Sequence, residues 1–312
     1  MPSQIPNTYD VKYRENMRFA LQQQQPKLAP LCTEEAGSGE KYLLQNIVGN
    51  GSTTKRTTRN QDTNYGESDH DRVWAVQPGA DEYARLVDSL DKVASGIDLQ
   101  GAYVKDGSQA INRAWDGAFI GGFDGLGGFY GSMLTGKSGT VSSPFASGNI
   151  VPVTTGAAGA TGLNVEKIIA ARTILATNYV DMDQPFYMGV TAKQVANLFG
   201  QVEVTSEEFK SMGGRLSPDG KRIIGMLGFE FVEFELGNPL IPYYELTVDG
   251  SGYRRNPFWS KDGMCMVPWE KLFTSVDRMP GKGHATQVFA RTMVTATRTD
   301  NGRCGQILCN EA

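Results

Sequence analysis

A chain of 312 residues, 40% hydrophobic and 21% charged with a net charge of −4, has the composition of a folded protein. A globular chain of this size buries about 75% of its unfolded surface. With no long run of Lys and Arg, the sequence makes no strong case for a nucleic-acid grip built on phosphate neutralisation. The two histidines, His70 and His284, argue against imidazole-based catalysis and multi-His metal centres.

Both histidines have polar or charged neighbours and are expected at the surface. Cys32, Cys265, Cys304 and Cys309 match no zinc spacing and form no Cys-x-x-Cys pair. They are expected as free thiols of a chain made in a reducing cytoplasm. The opening Met1-Pro2-Ser3-Gln4 is not the basic-then-apolar start of a signal peptide. No apolar run reaches the roughly 18 residues of a membrane span.

In chain order, Tyr13, Met17, Ala20 and Leu21 share one helical face, so a short amphipathic helix is expected over 10–25, ending at Pro26. A polar Gly- and Thr-rich stretch follows over 34–77, with apolar alternation around 42–48. Asn50-Gly51 is its strongest short hairpin signal, and Lys55, Arg56 and Arg59 lie just beyond. An arm and a long hairpin of this composition cannot bury enough apolar surface alone. They are either disordered or held by neighbouring subunits.

From residue 81 the pattern changes. Ile111, Trp115, Ala118 and Phe119 predict a long helix that stops at Gly121-Gly122. Tyr83, Tyr103, Trp115 and Phe119 read as core rather than as stacking platforms. A Gly/Ser/Thr-rich loop is expected up to residue 162. Asn164 then caps a helix to Asn178, Phe186 to Val190 form a buried strand, and Thr191 with Gln194 makes a capping box opening a helix to Phe199. Thr205 with Glu208 makes a second box. A strand is expected over 226–235, and packing around a strand near Trp259 and Trp269. A terminal β-hairpin is expected from 287–297 and 303–309 around Asp300-Asn301-Gly302. Strands and helices mix without a βαβ repeat, so the fold class is α+β.

Gly131-Ser132-Met133-Leu134-Thr135-Gly136-Lys137-Ser138 matches the phosphate-binding pattern G-x-x-x-x-G-K-S letter for letter. That loop needs a buried strand before it and a helix directly after it. Here a Gly-rich run precedes, and Gly139 to Pro144 cannot continue a helix, so a flexible loop is the preferred reading. Asp181-x-Asp183 could hold a divalent metal, but it stands between a helix and Pro185, where turn-forming Asp is ordinary. No catalytic, cofactor-binding or metal-binding residues are assigned.

Several separated motifs carry a family likeness. They include Leu21-Gln22-Gln23-Gln24-Gln25-Pro26-Lys27-Leu28, Asp71-Arg72-Val73-Trp74 and Asp116-Gly117-Ala118-Phe119. Thr191-Ala192-Lys193-Gln194 after its strand, Gly228-Phe229-Glu230-Phe231 and Trp259-Ser260-Lys261-Asp262-Gly263-Met264 continue the series. Ala285-Thr286-Gln287-Val288, Ala296-Thr297-Arg298 and Ile307-Leu308-Cys309 complete it. In order and spacing they resemble the major capsid proteins of tailed bacteriophages with the Hong Kong 97-type fold.

The resemblance implies an N-terminal arm (1–33), an extended loop (34–77), a peripheral domain with a spine helix (78–162) and an axial domain (163–279). A C-terminal hairpin (280–312) would return to the peripheral domain. It implies a self-assembling, non-enzymatic subunit of the virion, made in the host bacterial cytoplasm, forming hexamers and pentamers of an icosahedral head around double-stranded DNA. An encapsulin-like bacterial compartment shell is the alternative. Expected partners are the chain itself, a separate scaffolding protein, a portal and a decoration protein, with DNA touched weakly and non-specifically and no membrane. No cofactor is implied. Tyr13, Met17 and Leu21 in the arm and Lys55, Arg56 and Arg59 in the loop are the expected intersubunit contacts. No lysine–asparagine crosslinking pair can be matched.

Overall fold

A computed structural model describes residues 25–49, 51–60, 62–63, 65–87, 99–200, 215–216, 223–234 and 246–311. The expected arm helix over 10–25 and the second capping box at Thr205 lie outside these residues, apart from Gln25.

Strand β12 (Arg254–Ser260) shows how the sequence builds two cores from one strand. Strand side chains alternate between faces, so Phe258 and Trp259 point opposite ways. Phe258 joins Ile168, Ala171 and Leu175 of helix α2 (Val165–Thr177) in one core. Trp259 joins Phe119 and Phe129 in another, at centroid distances of 5.1 and 6.1 Å. Both faces of this strand are therefore covered, which explains its near-continuous apolar character.

The strand belongs to a seven-stranded sheet of order β7-β15-β12-β8-β11-β10-β9, where β7 is Ile150–Val151, β8 Phe186–Val190, β9 Arg215–Leu216, β10 Ile223–Met226, β11 Phe229–Glu233 and β15 Cys304–Cys309. Helix α3 (Ala192–Phe199) follows β8 and opens with the expected capping box: Thr191 accepts from the Gln194 N–H while the Gln194 side chain accepts from the Thr191 N–H. Asn164 likewise caps α2 through the Lys167 N–H.

A second sheet has the order β1-β13-β14-β4, with β1 at Thr33–Glu34, β4 at Asp81–Val87, β13 at Met264–Met279 and β14 at Ala285–Arg298. The long helix α1 (Leu99–Gly121) lies across it and ends where the sequence places its stop. Trp115 Nε1 donates to Thr292 Oγ1 at 3.1 Å, and Tyr83 Oη donates to Asp106 Oδ2 at 2.8 Å. A Cβ on Gly107 would stand 2.9 Å from the Tyr83 ring, so only glycine lets helix and sheet approach this closely.

The third sheet has the order β2-β3-β5-β6: β2 (Lys41–Val48), β3 (His70–Val76), β5 (Met133–Thr135) and β6 (Val141–Ser143).

Five expectations are corrected. The terminal strands do not form a hairpin: β14 pairs with β13 and β4, whereas β15 pairs with β12 and β7, in another sheet. Asp300 does make the turn, accepting from the Gly302 N–H at 2.8 Å, but the turn carries the chain between sheets. The segment 264–279, grouped by sequence with the axial region, pairs instead with β14. The strand expected over 226–235 is interrupted by Leu227 and Gly228 at φ 53° and 88°, which fold it into the β10–β11 hairpin. Asn50-Gly51 does not close a tight hairpin, because Val48 pairs with His70 across a much longer tip. The Gly-rich stretch to residue 162 is not one loop, since it holds β5, β6 and β7.

The arm's inner end is fixed by one carboxylate. Asp116 on α1 is fully buried and accepts the backbone N–H groups of Lys27 at 2.8 Å and Leu28 at 2.9 Å. Two of the separated motifs thus meet in space. Asp116→Ala would strand two donors beside the buried Leu28 side chain. A loss of about 3 kcal/mol is expected from two charge-assisted bonds, checked by urea unfolding of the soluble subunit, with Asp116→Asn retaining part of it.

Candidate assembly surfaces

Strands β2 and β3 run side by side from the body, from Lys41↔Val76 at the root to Val48↔His70 at the far end. Eight residues at about 3.3 Å each give roughly 26 Å of reach before the tip begins. The far half of the ribbon is exposed, with His70, Asp71 and Arg72 all open to solvent. A two-stranded ribbon of this kind is marginal in water by itself.

Its root is braced by the β5–β6 hairpin, where Val73 and Trp74 pair with Thr135 and Leu134. Trp74 Nε1 donates to Gly136 O at 2.8 Å, Lys41 Nζ donates to Gly139 O at 3.0 Å, and the Gly136 N–H donates to Asp71 Oδ1 at 2.7 Å. A Cβ at Gly139, whose φ is +62°, would sit 2.7 Å from the Trp74 ring. The letters Gly136-Lys137-Ser138-Gly139 are therefore the turn of a β-hairpin. A strand follows them where a phosphate-binding loop would require a helix, and Lys137 and Ser138 are exposed at the bend. The loop expected here is an ordered brace.

The loop's entry is tied down separately. Thr33 and Glu34 pair in parallel with Cys265 and Met266, the Gly37 N–H donates to Pro268 O at 3.0 Å, and Trp269 Nε1 donates to Gly39 O at 2.7 Å.

Lys55, Arg56 and Arg59 lie exposed in the tip, as expected. Among the described residues none has an acidic partner; Arg56 Nε donates only to Thr58 O, at 3.2 Å. Tyr13, Met17 and Leu21 lie outside the described residues. Asp181 and Asp183 are exposed, and the Asp183 N–H donates to Asp181 Oδ1 at 3.1 Å, an Asx turn. Among the described residues no cluster of metal-ligating side chains occurs and no helix is long and apolar enough to cross a membrane.

A second surface escaped the sequence reading. Leu86, Val104, Leu272, Phe273 and Val276 are large apolar residues exposed by 43–52%. Val104, Leu272 and Val276 meet on the α1 side of the sheet, whereas Leu86 and Phe273 project from its opposite face. Between Val104 and the strands runs a groove of about 290 Å³ floored by Val276, Val288 and Ala290. Exposed apolar area gathered in one region marks contact surface. The apolar residues Leu272, Phe273 and Val276 were a usable signal, but nothing in them distinguishes a buried face from one covered only by another chain.

The polar groups buried in the body are structural. Lys167 is fully buried, and its Nζ donates to Thr161 O, Gly162 O and Leu308 O at 2.8–2.9 Å. Burial pushes its pKa down. The Glu311 carboxylate accepts from Thr191 Oγ1 at 2.6 Å, Gln194 Nε2 at 2.8 Å and Arg254 Nε at 2.9 Å. All four cysteines are free and buried.

The sequence matches the family model described as phage capsid protein over residues 5–311. No curated protein matches the sequence directly. The structure is similar to the capsid of cyanophage Pam1 (TM-score 0.73, 9% identity, 100% of each chain covered). It is similar also to that of cyanophage P-SCSP1u (TM-score 0.69, 11% identity, covering 100% of this chain and 96% of that one). The head of Helicobacter pylori bacteriophage KHP40 gives a TM-score of 0.68 at 9% identity, with 99% of each chain covered. Spine helix, extended loop and packed sheets are those of the Hong Kong 97-type capsid fold. The chain belongs to the phage capsid protein family: it is a structural protein of a bacteriophage virion, and its place is the capsid.

Burial raises the thiol pKa values from the ordinary 9.0 to about 11 for Cys265 and about 12 for Cys32, Cys304 and Cys309. Folded thiols thus keep their protons where unfolded ones lose them, so this part of the stability is complete below pH 9 and declines as pH rises from there to 12. The urea midpoint is expected to fall across that window. At pH 8, iodoacetamide is expected to label the thiols only after unfolding, and rapid native labelling would contradict the burial described. Gly139→Val is expected to displace Trp74 and speed tryptic cleavage at Lys41 and Arg72 without changing the far-UV circular dichroism of the body.

Proposed function

We propose that this chain is the major capsid protein that builds the icosahedral head of a double-stranded DNA phage from pentamers and hexamers. The observation that carries the reading is the extended loop. It projects roughly 26 Å from its root, is braced by the β5–β6 hairpin between Asp71 and Trp74, and ends in an exposed tip whose cations have no acidic partner among the described residues. Such a ribbon gains its missing cover from the next subunit, with Lys55, Arg56 and Arg59 as contact residues. The apolar groove between Val104 of α1 and Leu272 and Val276 of β13 supplies a second contact surface, and Tyr13, Met17 and Leu21 give the arm its apolar face.

In this reading the regions are an arm, the extended loop, a peripheral domain on α1 and the β13–β14 sheet, and an axial domain on the seven-stranded sheet. The work is mechanical and no catalytic group is called for. Assembly takes place in the host cytoplasm with a separate scaffolding protein, a portal and a decoration protein, and packaged DNA is touched weakly and non-specifically, in keeping with the −4 net charge.

Expressed alone and together with a scaffolding protein, the chain is expected to give closed shells, tubes or polyheads in negative-stain electron microscopy. Trypsin is expected to cut free subunits at Lys55, Arg56 and Arg59 and to spare the same bonds in particles. A monodisperse monomer under both conditions would overturn the proposal.

A further inference from the structure

At the root of the extended loop, directly after β3, the chain passes through Pro78 and Gly79 into β4. There Pro78, Asp81, Ala118, Phe123 and Val294 line a cleft of about 240 Å³. Two of its features ask for a ligand. The Asp81 carboxylate is half-buried, and among the described residues nothing hydrogen-bonds it or pairs with it. Burial raises its pKa, the mark of a carboxylate without a cation. The guanidinium on the neighbouring strand, Arg291, is already committed to Glu270 at 2.8 and 3.2 Å. It also lies on the other face, since Asp81 pairs with Thr292 and Arg291 with Glu82. The second feature is the Phe123 ring, 41% exposed at the cleft wall.

A planar cation with an apolar stem suits such a place: a guanidinium can pair with the carboxylate and lie against the ring. Lysine, a compact and strongly hydrated charge, suits it less. Guanidinium groups without an acidic partner among the described residues stand at one conspicuous place, the loop tip, where Arg56 and Arg59 are exposed. The tip also holds Asp62, Glu67 and Asp69 on its returning limb, so the tip as a whole is neutral and the recognition is of particular side chains. A loop that projects away from its own root cannot fold its tip back onto that root. The arginine must come from another copy.

We propose that the cleft at the loop root receives an arginine, Arg56 or Arg59, from the loop tip of a neighbouring copy, held between the Asp81 carboxylate and the Phe123 ring. The inference rests on the reading of the chain as a self-assembling subunit and adds where the loop docks. A tip-to-root contact joins two different patches, so it is heterologous and propagates from copy to copy into a ring when the rotation closes.

The test is a charge swap on the full chain, scored by the yield of closed particles under conditions where the parent chain assembles. Asp81→Arg, and Arg56→Glu with Arg59→Glu, are each expected to lower particle yield about tenfold or more, with unchanged circular dichroism of the soluble subunit. Combining all three substitutions is expected to restore most of the yield. Loss without rescue, or parent-like assembly of Asp81→Arg, overturns the contact and leaves the capsid reading standing. A parent chain that never assembles overturns the reading underneath it. If Asp81→Arg fails to fold, Asp81→Ala, the Arg56→Ala/Arg59→Ala pair and their combination read the same coupling. A combined loss no larger than either alone supports the contact, and multiplying losses overturn it.

Discussion

Two backbone crossings hold this molecule together. The chain leaves the seven-stranded sheet at Lys261–Gly263 to enter β13, and returns from β14 at Asn301–Arg303 to enter β15. The crossings lie against each other: the Thr299 N–H donates to Gly263 O at 3.0 Å, Thr299 Oγ1 donates to Asp262 O at 2.5 Å, and a Cβ on Gly263 would stand 3.0 Å from Arg303. Trp259 sits just before the first crossing and Cys304 just after the second, and both are fully buried in the core that joins the sheets. Two strands in each sheet are thus covalently continuous with two in the other, side by side. The geometry resists rotation of one sheet against the other more than a single connection would.

Onto that body the extended loop is added with its own anchorage. The 33–37 segment zips onto β13, Trp269 holds Gly39, and the β5–β6 hairpin supports β3 from the other side. Anchors concentrate at the root and none is found among the described residues of the tip. The braced root sets the direction in which the tip is held out from the body.

Local signals made much of this legible. Helices α2 and α3 and the end of α1 stand within a residue or so of where periodicity and capping placed them, because caps and glycine stops act over a few residues. Strand β8 was visible as a short apolar run, and the Asp71–Trp74 segment stood out only through the family resemblance. The failures share a cause. The final two strands have the look of a hairpin, yet which sheet each joins is decided by residues far away in sequence, β13 and β12. The Gly-rich brace was unreadable because its order comes from Trp74, Lys41 and Asp71. The Leu227-Gly228 turn was hidden among strand-favouring Phe and Val. As for the site, exposed cations in 55–59 could be named, but not the root cleft. Asp81 becomes informative only once the end of α1 lies beside it and its carboxylate is left without a cation among the described residues.

The four thiols have a practical side. Each is enclosed in a core, with none near the loop tip or the β5–β6 bend. A particle of such subunits presents a surface blank to maleimide chemistry. A cysteine placed at Lys137, at the exposed bend of the brace, would be the one reactive sulfur per subunit. Dyes, peptides or gold clusters could then be attached at a single defined position repeated over the whole shell.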